Sequence, residues 1–256
     1  MKVESDFAGR QLIGSRESQD DYYTFCPLAK EVDGLDGLLL VLADGMGGYA
    51  GGSIASHLVV EAFAEHFCFA RGDVPSRLLS SLRASERKLQ EEIARREERL
   101  SQMGSTLVGV FWSGHRLHWV SVGDSGLFVY RENVFQRLNA DHSMAPVLAA
   151  QAARGELTAR QAAEHPYRNV LRSALALEPL SMFDLRDEPY ELIPGDIVVA
   201  ASDGLNSVDP KILATQLEQG RKKSADHIAL SLLRAVRDAR LPHQDNTTVT
   251  VIKVSA

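Results

Sequence analysis

Cysteine is scarce in this chain: 256 residues carry only Cys26 and Cys68. Two cysteines cannot build the disulfide framework of a small secreted fold, and they fit a reducing compartment. Positive charge is also short. Lys and Arg total 28 against 34 Asp and Glu, a formal net charge of −6, and no cluster of Lys and Arg is suited to tracking a nucleic-acid backbone. Long apolar runs are missing as well. The opening MKVESDFAGRQLIGSRESQDD has no hydrophobic region of a secretory signal, and no uninterrupted stretch approaches membrane-spanning length. Internal repeats and low-complexity tracts are lacking. These absences lead to the expectation of a soluble, cytoplasmic protein with no nucleic-acid and no membrane partner.

Against them stands an ordinary globular composition, 45% hydrophobic and 24% charged, which allows a sizeable core. The length fits one or two domains, and single domains with mixed elements often reach it. Periodicity predicts strands over 8–15, 21–28 and 37–43, the last a buried run. Helices follow over 52–70 and 76–102. In the second helix Leu82, Leu89, Ile93 and Leu100 share one face, while Glu91 with Arg95 and Glu92 with Arg96 make i,i+4 pairs on the other. The period then shortens. Strands over 105–113, 116–122, 127–131 and 134–138 are joined by turns too short for crossover helices, which predicts an antiparallel meander. Residues 143–180 are Ala-rich and partly helical and look inserted. Strands return at 182–191 and 196–202, helices near 209–219 and 225–239, and 247–254 alternates like a half-buried strand. Antiparallel sheets packed together with helices outside, an α+β class, is the expected architecture.

Four aspartates sit where such apolar runs end or begin: Asp44 in LLLVLADGMGG, Asp124 in WVSVGDSG, Asp203 in IVVAASDGL and Asp245 in QDNTTVTVIKV. Asp-Gly is foremost a turn dipeptide, and Asp33-Gly34 and Asp36-Gly37 read as no more than that. Repetition after strongly apolar runs changes the balance. Such carboxylates lie near a core, where they are costly unless paired or bound to cations. Four sheet rims presenting carboxylate oxygens suggest hard divalent cations and a metal-dependent hydrolase.

Rival chemistries fare worse. Gly45-Met46-Gly47-Gly48-Tyr49-Ala50 formally fits a dinucleotide fingerprint. Asp44 would, however, face the pyrophosphate, Glu61 and Glu65 fall within a helix, and no βαβ continuation follows. No Walker lysine follows either. His115 and His118 flank a hairpin turn and do not face one metal, and His57 and His66 lie in a helix. Cys26 has no identifiable base partner, and Ser105 and Ser125 lack a nucleophile-elbow context, so the sequence gives a covalent triad little support.

The ordered motifs Arg16-x-x-Gln19-Asp20-Asp21, LLLVLADGMGGYAGG, Gly104-Ser105-Thr106-Leu107, Val122-Gly123-Asp124-Ser125 and Asp141-His142-Ser143 run from near residue 10 onward. His165-Pro166, Asn169-Val170, Leu192-x-Pro194-Gly195-Asp196, Ala201-Ser202-Asp203-Gly204-Leu205 and Asp245-Asn246-Thr247-Thr248 continue them to the C-terminus. Each is weak alone; in this order they are specific. The set resembles the metal-dependent protein phosphatases of the 2C type, particularly their bacterial members.

That resemblance implies an α-β-β-α sandwich of two antiparallel sheets flanked by helices, a single domain over 1–256 with a flap at about 143–180. It implies that Asp44 would bridge two Mn²⁺ or Mg²⁺ ions while Gly45 offers its carbonyl. Asp203 and Asp245 would complete one shell, Asp20 and Asp21 would stand on the other side, and Asp124 matches the position of a looser third ion. Arg16 matches the phosphate-binding arginine, whose planar fork holds two oxygens. The implied reaction is hydrolysis of phosphoserine or phosphothreonine on proteins, by direct attack of a hydroxide held between the metals. The implied partners are phosphoproteins and an opposed Ser/Thr kinase, for a monomeric enzyme. Several positions depart from the family pattern. Asp20 replaces Glu, Met46 stands where eukaryotic members carry His, and Gly126 replaces Arg. Arg172-Ser173 replaces Thr-Arg, and Ala176 replaces Gly. His142 is then an alternative proton donor. The competing reading is a catalytically weak module that binds phosphoproteins or a regulator. Degenerate relatives of that kind lose metal carboxylates, whereas Asp44, Asp203 and Asp245 are all present.

Overall fold

Apolar residues fill both faces of the central strands, which obliges each sheet to be covered on both sides. The computed structural model describes residues 2–30, 34–47, 50–95 and 102–255. Strands β1 (Phe7–Leu12), β2 (Asp21–Leu28) and β3 (Gly37–Met46) precede helices α1 (Gly51–Phe69) and α2 (Val74–Arg95). Then come β4 (Gly104–Ser105), β5 (Leu107–Ser113), β6 (Arg116–Val122), β7 (Gly126–Arg131) and β8 (Val134–Arg137). Helices α3 (Ala145–Ala153) and α4 (Ala159–Ala163) lead to β9 (Asp184–Leu185), β10 (Tyr190–Glu191) and β11 (Ile197–Ala201). A 3₁₀ segment (Asp203–Ser207), α5 (Pro210–Gly220), α6 (Ala225–Asp238) and β12 (Thr247–Lys253) complete the chain.

One sheet has the order β1-β12-β11-β7-β8; the other runs β10-β6-β5-β3-β2, with β4 against β3 and β9 against β6. Period-2 alternation sorts β3 into two cores. Leu39, Val41 and Ala43 pack with Val59, Phe63, Leu78 and Leu82 of α1 and α2, while Leu38 and Leu40 meet Val108, Val110, Val198 and Ile252 between the sheets. Val199, Val249 and Val251 face Ile228, Leu232 and Val236 of α6. Three apolar layers therefore separate helix, sheet, sheet and helix, and each fully buried side chain contributes about 1.5–3 kcal/mol.

The expected meander is not what forms. β6 pairs with β5 in one sheet, whereas β7 pairs with β8 and β11 in the other. The short link rules out a crossover helix, but stacked sheets can also be joined by a tight link, and here Gly123-Asp124-Ser125 changes layer. Gly123 has φ +94°, and a Cβ there would stand 2.6 Å from Thr106 Cγ2, so this position requires glycine. The predicted strand 182–191 also divides, into β9 and β10. β3 runs past Asp44 to Met46 because Gly45 and Met46 pair with β4. Glu91 and Arg95 approach to 4.0 Å as expected; Arg96 and Leu100 lie outside the described residues.

Within 143–180, α4 starts in a capping box between Thr158 and Gln161. The segment beyond it returns to the sandwich, where isolated bridges join Ser143 to Leu171 and Ser105 to Leu175. Among the described residues, no helix is long and apolar enough to cross a membrane.

Candidate active site

Strand register gathers the carboxylates. In the β2–β3 pair Asp21 lies opposite Asp44, with Asp20 one residue before. Asp203 follows β11, Asp245 precedes β12, and these strands are antiparallel neighbours, so both residues emerge at the same end. Asp124 occupies the link between the sheets. The result is a cleft of about 1100 Å³ lined by Arg16, Asp20, Asp44, Gly45, Asp124, Asp203 and Asp245, with Met46 and part of the 143–180 segment as further walls.

Hydrogen bonds hold these elements in place. Asp44 N–H donates to Thr106 Oγ1 (2.9 Å), and Thr106 N–H donates back to the Asp44 carbonyl (2.9 Å). Asn246 Nδ2 donates to the carbonyls of Ile13 (2.8 Å) and Ser18 (2.9 Å), while its Oδ1 accepts from Asp20 N–H (2.8 Å). One buried amide thus ties the loop carrying Arg16 and Asp20 to the start of β12. Neither Thr106 nor Asn246 is a site candidate on sequence grounds; their only signal is membership of the motifs Gly104-Ser105-Thr106-Leu107 and Asp245-Asn246-Thr247-Thr248.

Negative charge is concentrated here with little compensation. Burial, then Asp21, Asp203, Asp124 and Asp245, push the Asp44 carboxyl well above the usual range. Asp203 is raised to about 7 by burial and by Asp124 and Asp245. Asp124 is raised to about 6 by burial and Asp141. Like charges in a partly dry site disfavour one another's ionised forms. Arg16 supplies one local counter-charge, with its guanidinium 2.6 Å from Asp245 Oδ2.

Asp21 is placed differently from the expectation. It does not line the cleft; it is buried, and Oδ2 accepts from Ser202 Oγ and Thr248 Oγ1, both at 2.7 Å. Its other oxygen, Oδ1, has no partner, and burial raises the group to about 6. His142 is also turned away from proton donation. It is buried, its Nδ1 accepts from Gly123 N–H at 3.2 Å, and it is not among the cleft-lining residues.

Do these groups suit divalent cations? Among the described residues, no three such side chains are already closed around one point. The donor chemistry nevertheless fits hard cations. All donors are oxygens, the carboxylates repel one another, and Asp21 Oδ1 is buried and unpartnered. A Cβ built on Gly52 would stand 2.7 Å from Asp20 Oδ2 and 2.8 Å from the Gly45 carbonyl, so these two oxygens already converge.

Comparisons with known proteins agree with this geometry. The protein phosphatase 2C family model matches residues 8–244. The serine/threonine protein phosphatase PstP of Mycobacterium tuberculosis is 32% identical over 222 residues, 84% of this chain and 40% of that protein. The chain therefore spans well under half the length of that relative. A Streptococcus agalactiae serine/threonine phosphatase structure superposes with a TM-score of 0.83 at 26% identity, covering 98% of this chain and 99% of that one. A PstP catalytic domain in complex with two manganese ions gives 0.76 at 27% identity, covering 98% of each chain. Matched in sequence from residue 8 to 244 and in fold over nearly its whole length, the chain belongs to the protein phosphatase 2C family.

Proposed function

We propose that this chain is a metal-dependent phosphatase that hydrolyses phosphoserine and phosphothreonine on proteins. The observation that carries the reading is the convergence of Asp20, Asp44, Asp124, Asp203 and Asp245 on one open cleft beside Arg16. So acidic a cleft repels a phosphate dianion unless cations occupy it.

Asp44, Asp203, Asp245, Asp20 and the Gly45 carbonyl would hold two Mn²⁺ or Mg²⁺ ions, with Asp124 serving a third. Bound divalent cations supply charge neutralisation for the phosphate and activate water near neutral pH. Arg16 binds two phosphate oxygens through its planar fork, which the adjacent Asp245 keeps oriented. Asp21 does not touch the substrate. Fixed by Ser202 and Thr248, it adds negative field at Asp44 and strengthens the demand for cations there. Met46 lines the cleft but carries no proton, so the departing serine or threonine oxygen takes its proton from water.

In this reading residues 1–256 act as one domain with 143–180 as a flap. The protein is a cytoplasmic monomer that opposes a Ser/Thr kinase, and Cys26 and Cys68, neither of them in a disulfide, support a reducing compartment. The test is phosphate release from a phosphothreonine peptide with Mn²⁺, Mg²⁺ or EDTA. Turnover that requires metal and is lost in Asp203→Asn supports the reading. A folded protein that binds Mn²⁺ and phosphopeptide without turnover would replace it with a binding module.

A further inference from the structure

Among the described residues, seven carboxylates and two arginines line the cleft, and no lysine or histidine joins them. Arg16 is one of the two, and Asp245 neutralises it at 2.6 Å. The other is Arg172, whose exposed side chain forms no ion pair among the described residues, although Glu178 lines the same cleft. Its backbone, by contrast, is fixed. Arg172 N–H donates to the His142 carbonyl at 2.7 Å, and the neighbouring Ser173 hydroxyl donates to the Met182 carbonyl at 2.6 Å. Bridges on both sides, Ser143 to Leu171 and Ser105 to Leu175, pin the segment to the sandwich. A guanidinium is thus held on a rigid support at the wall of an acidic cleft, with its five donors uncommitted.

Beside it the same wall is apolar. Val170 is 49% exposed and Met46 36% exposed, and both line the cleft. A free phosphate or a compact phosphomonoester has no use for such a rim. A peptide does, because residues flanking the phosphorylated side chain must cross it. Resting on the phosphatase reading above, we infer that Arg172 is a specificity-determining residue that binds a second anionic group on the substrate peptide, beside the phosphorylated residue. That anion is an Asp or Glu carboxylate or a second phosphate, since either matches the planar donor fork. Elsewhere on the acidic cleft wall the same anion would be repelled, so Arg172 also sets where it can lie.

The experiment compares phosphothreonine peptides whose neighbouring residue is Asp, phosphoserine, Asn or Lys, with p-nitrophenyl phosphate as a substrate that lacks any neighbour. For wild type, kcat/KM should be about tenfold higher with Asp or phosphoserine than with Lys, mostly through KM. In Arg172→Ala that ratio should fall to about twofold or less, in Arg172→Lys it should be partly retained, and in Arg172→Glu it should invert. Added salt should shrink the wild-type preference, because an exposed pair is screened. A stronger response to phosphoserine than to Asp would identify phosphate as the preferred anion.

Ratios that are the same in wild type and Arg172→Glu would overturn the inference. So would an equal loss on peptides and on p-nitrophenyl phosphate, which would place Arg172 on the reacting phosphate instead. If wild type turns over none of these substrates, the phosphatase reading fails separately. Fluorescence anisotropy of the same labelled peptides on wild type and Arg172→Glu then decides the assignment by affinity alone. Circular dichroism confirms that each variant is folded.

Discussion

Asp203→Asn should abolish phosphate release and at the same time stabilise the metal-free protein. In the fold Asp203 ionises only near pH 7, against an ordinary value of 3.8, because it is largely buried beside Asp124 and Asp245. A carboxyl raised in this way favours folding at low pH. The contribution is lost as pH rises from the unfolded value through the folded one. The full difference corresponds to about 4 kcal/mol at pH 8. That figure is a ceiling, since Asp203 keeps some solvent access and its neighbours can share protons or relax. The variant also loses an acidic residue from the first turn of the 3₁₀ segment, worth about 0.3–1 kcal/mol. The net gain is therefore at most about 3 kcal/mol, and each kcal/mol corresponds to roughly 2–4 °C in Tm for a chain of this size. Thermal unfolding in EDTA at pH 8 measures it directly. With Mn²⁺ present the order should reverse, because wild type binds the ion more tightly and gains more from mass action. An Asn variant less stable than wild type in EDTA, or one stabilised equally at pH 4.5, would refute the reasoning that carboxylate repulsion is stored at this site.

Three further outcomes are expected. Metal-free wild type should lose Tm steadily between about pH 4 and pH 7, since Asp21 and Asp124 are each raised from 3.8 to about 6 and both favour the folded state only while protonated; differential scanning calorimetry with and without Mn²⁺ would show the slope and its removal by metal. Asn246→Ala should cost about 2–3 kcal/mol by leaving Asp20 N–H and two carbonyls unpaired, and should lower kcat/KM because the loop carrying Arg16 loosens; equal activity and Tm would dismiss the clamp. Leu40→Ala, at a fully buried position between the sheets, should cost about 2–5 kcal/mol in urea unfolding while leaving Mn²⁺ dependence unchanged.

The two sheets show how far a pattern can be read. Alternation and apolar runs placed β1 to β3, β5 to β8 and the final strand close to where they form, because burial of one face or two is written locally. Partner choice is not local. The link after Val122 is short whether β7 folds back beside β6 or passes to the opposite sheet, and only competition for the inter-sheet core decides. Asp196 is a related case. It closes a family motif, yet the fold uses it structurally, buried and bridged to Arg131 at 2.6 Å.

By itself the sequence determined the class of the protein and its carboxylates. Motif order and runs ending in aspartate survive any arrangement of the strands between them. Tertiary structure alone decided which carboxylates face the cleft. Asp20 and Asp21 are adjacent in the chain, but Asp20 lies in the loop before β2 and lines the cleft, while Asp21 opens the strand. The Asp21 carboxylate is held by Ser202 and Thr248, more than 180 residues away in the chain. Burial, like-charge repulsion and the partnering of Arg16 with Asp245 arise only where distant segments meet, and that meeting turns scattered aspartates into one acidic site.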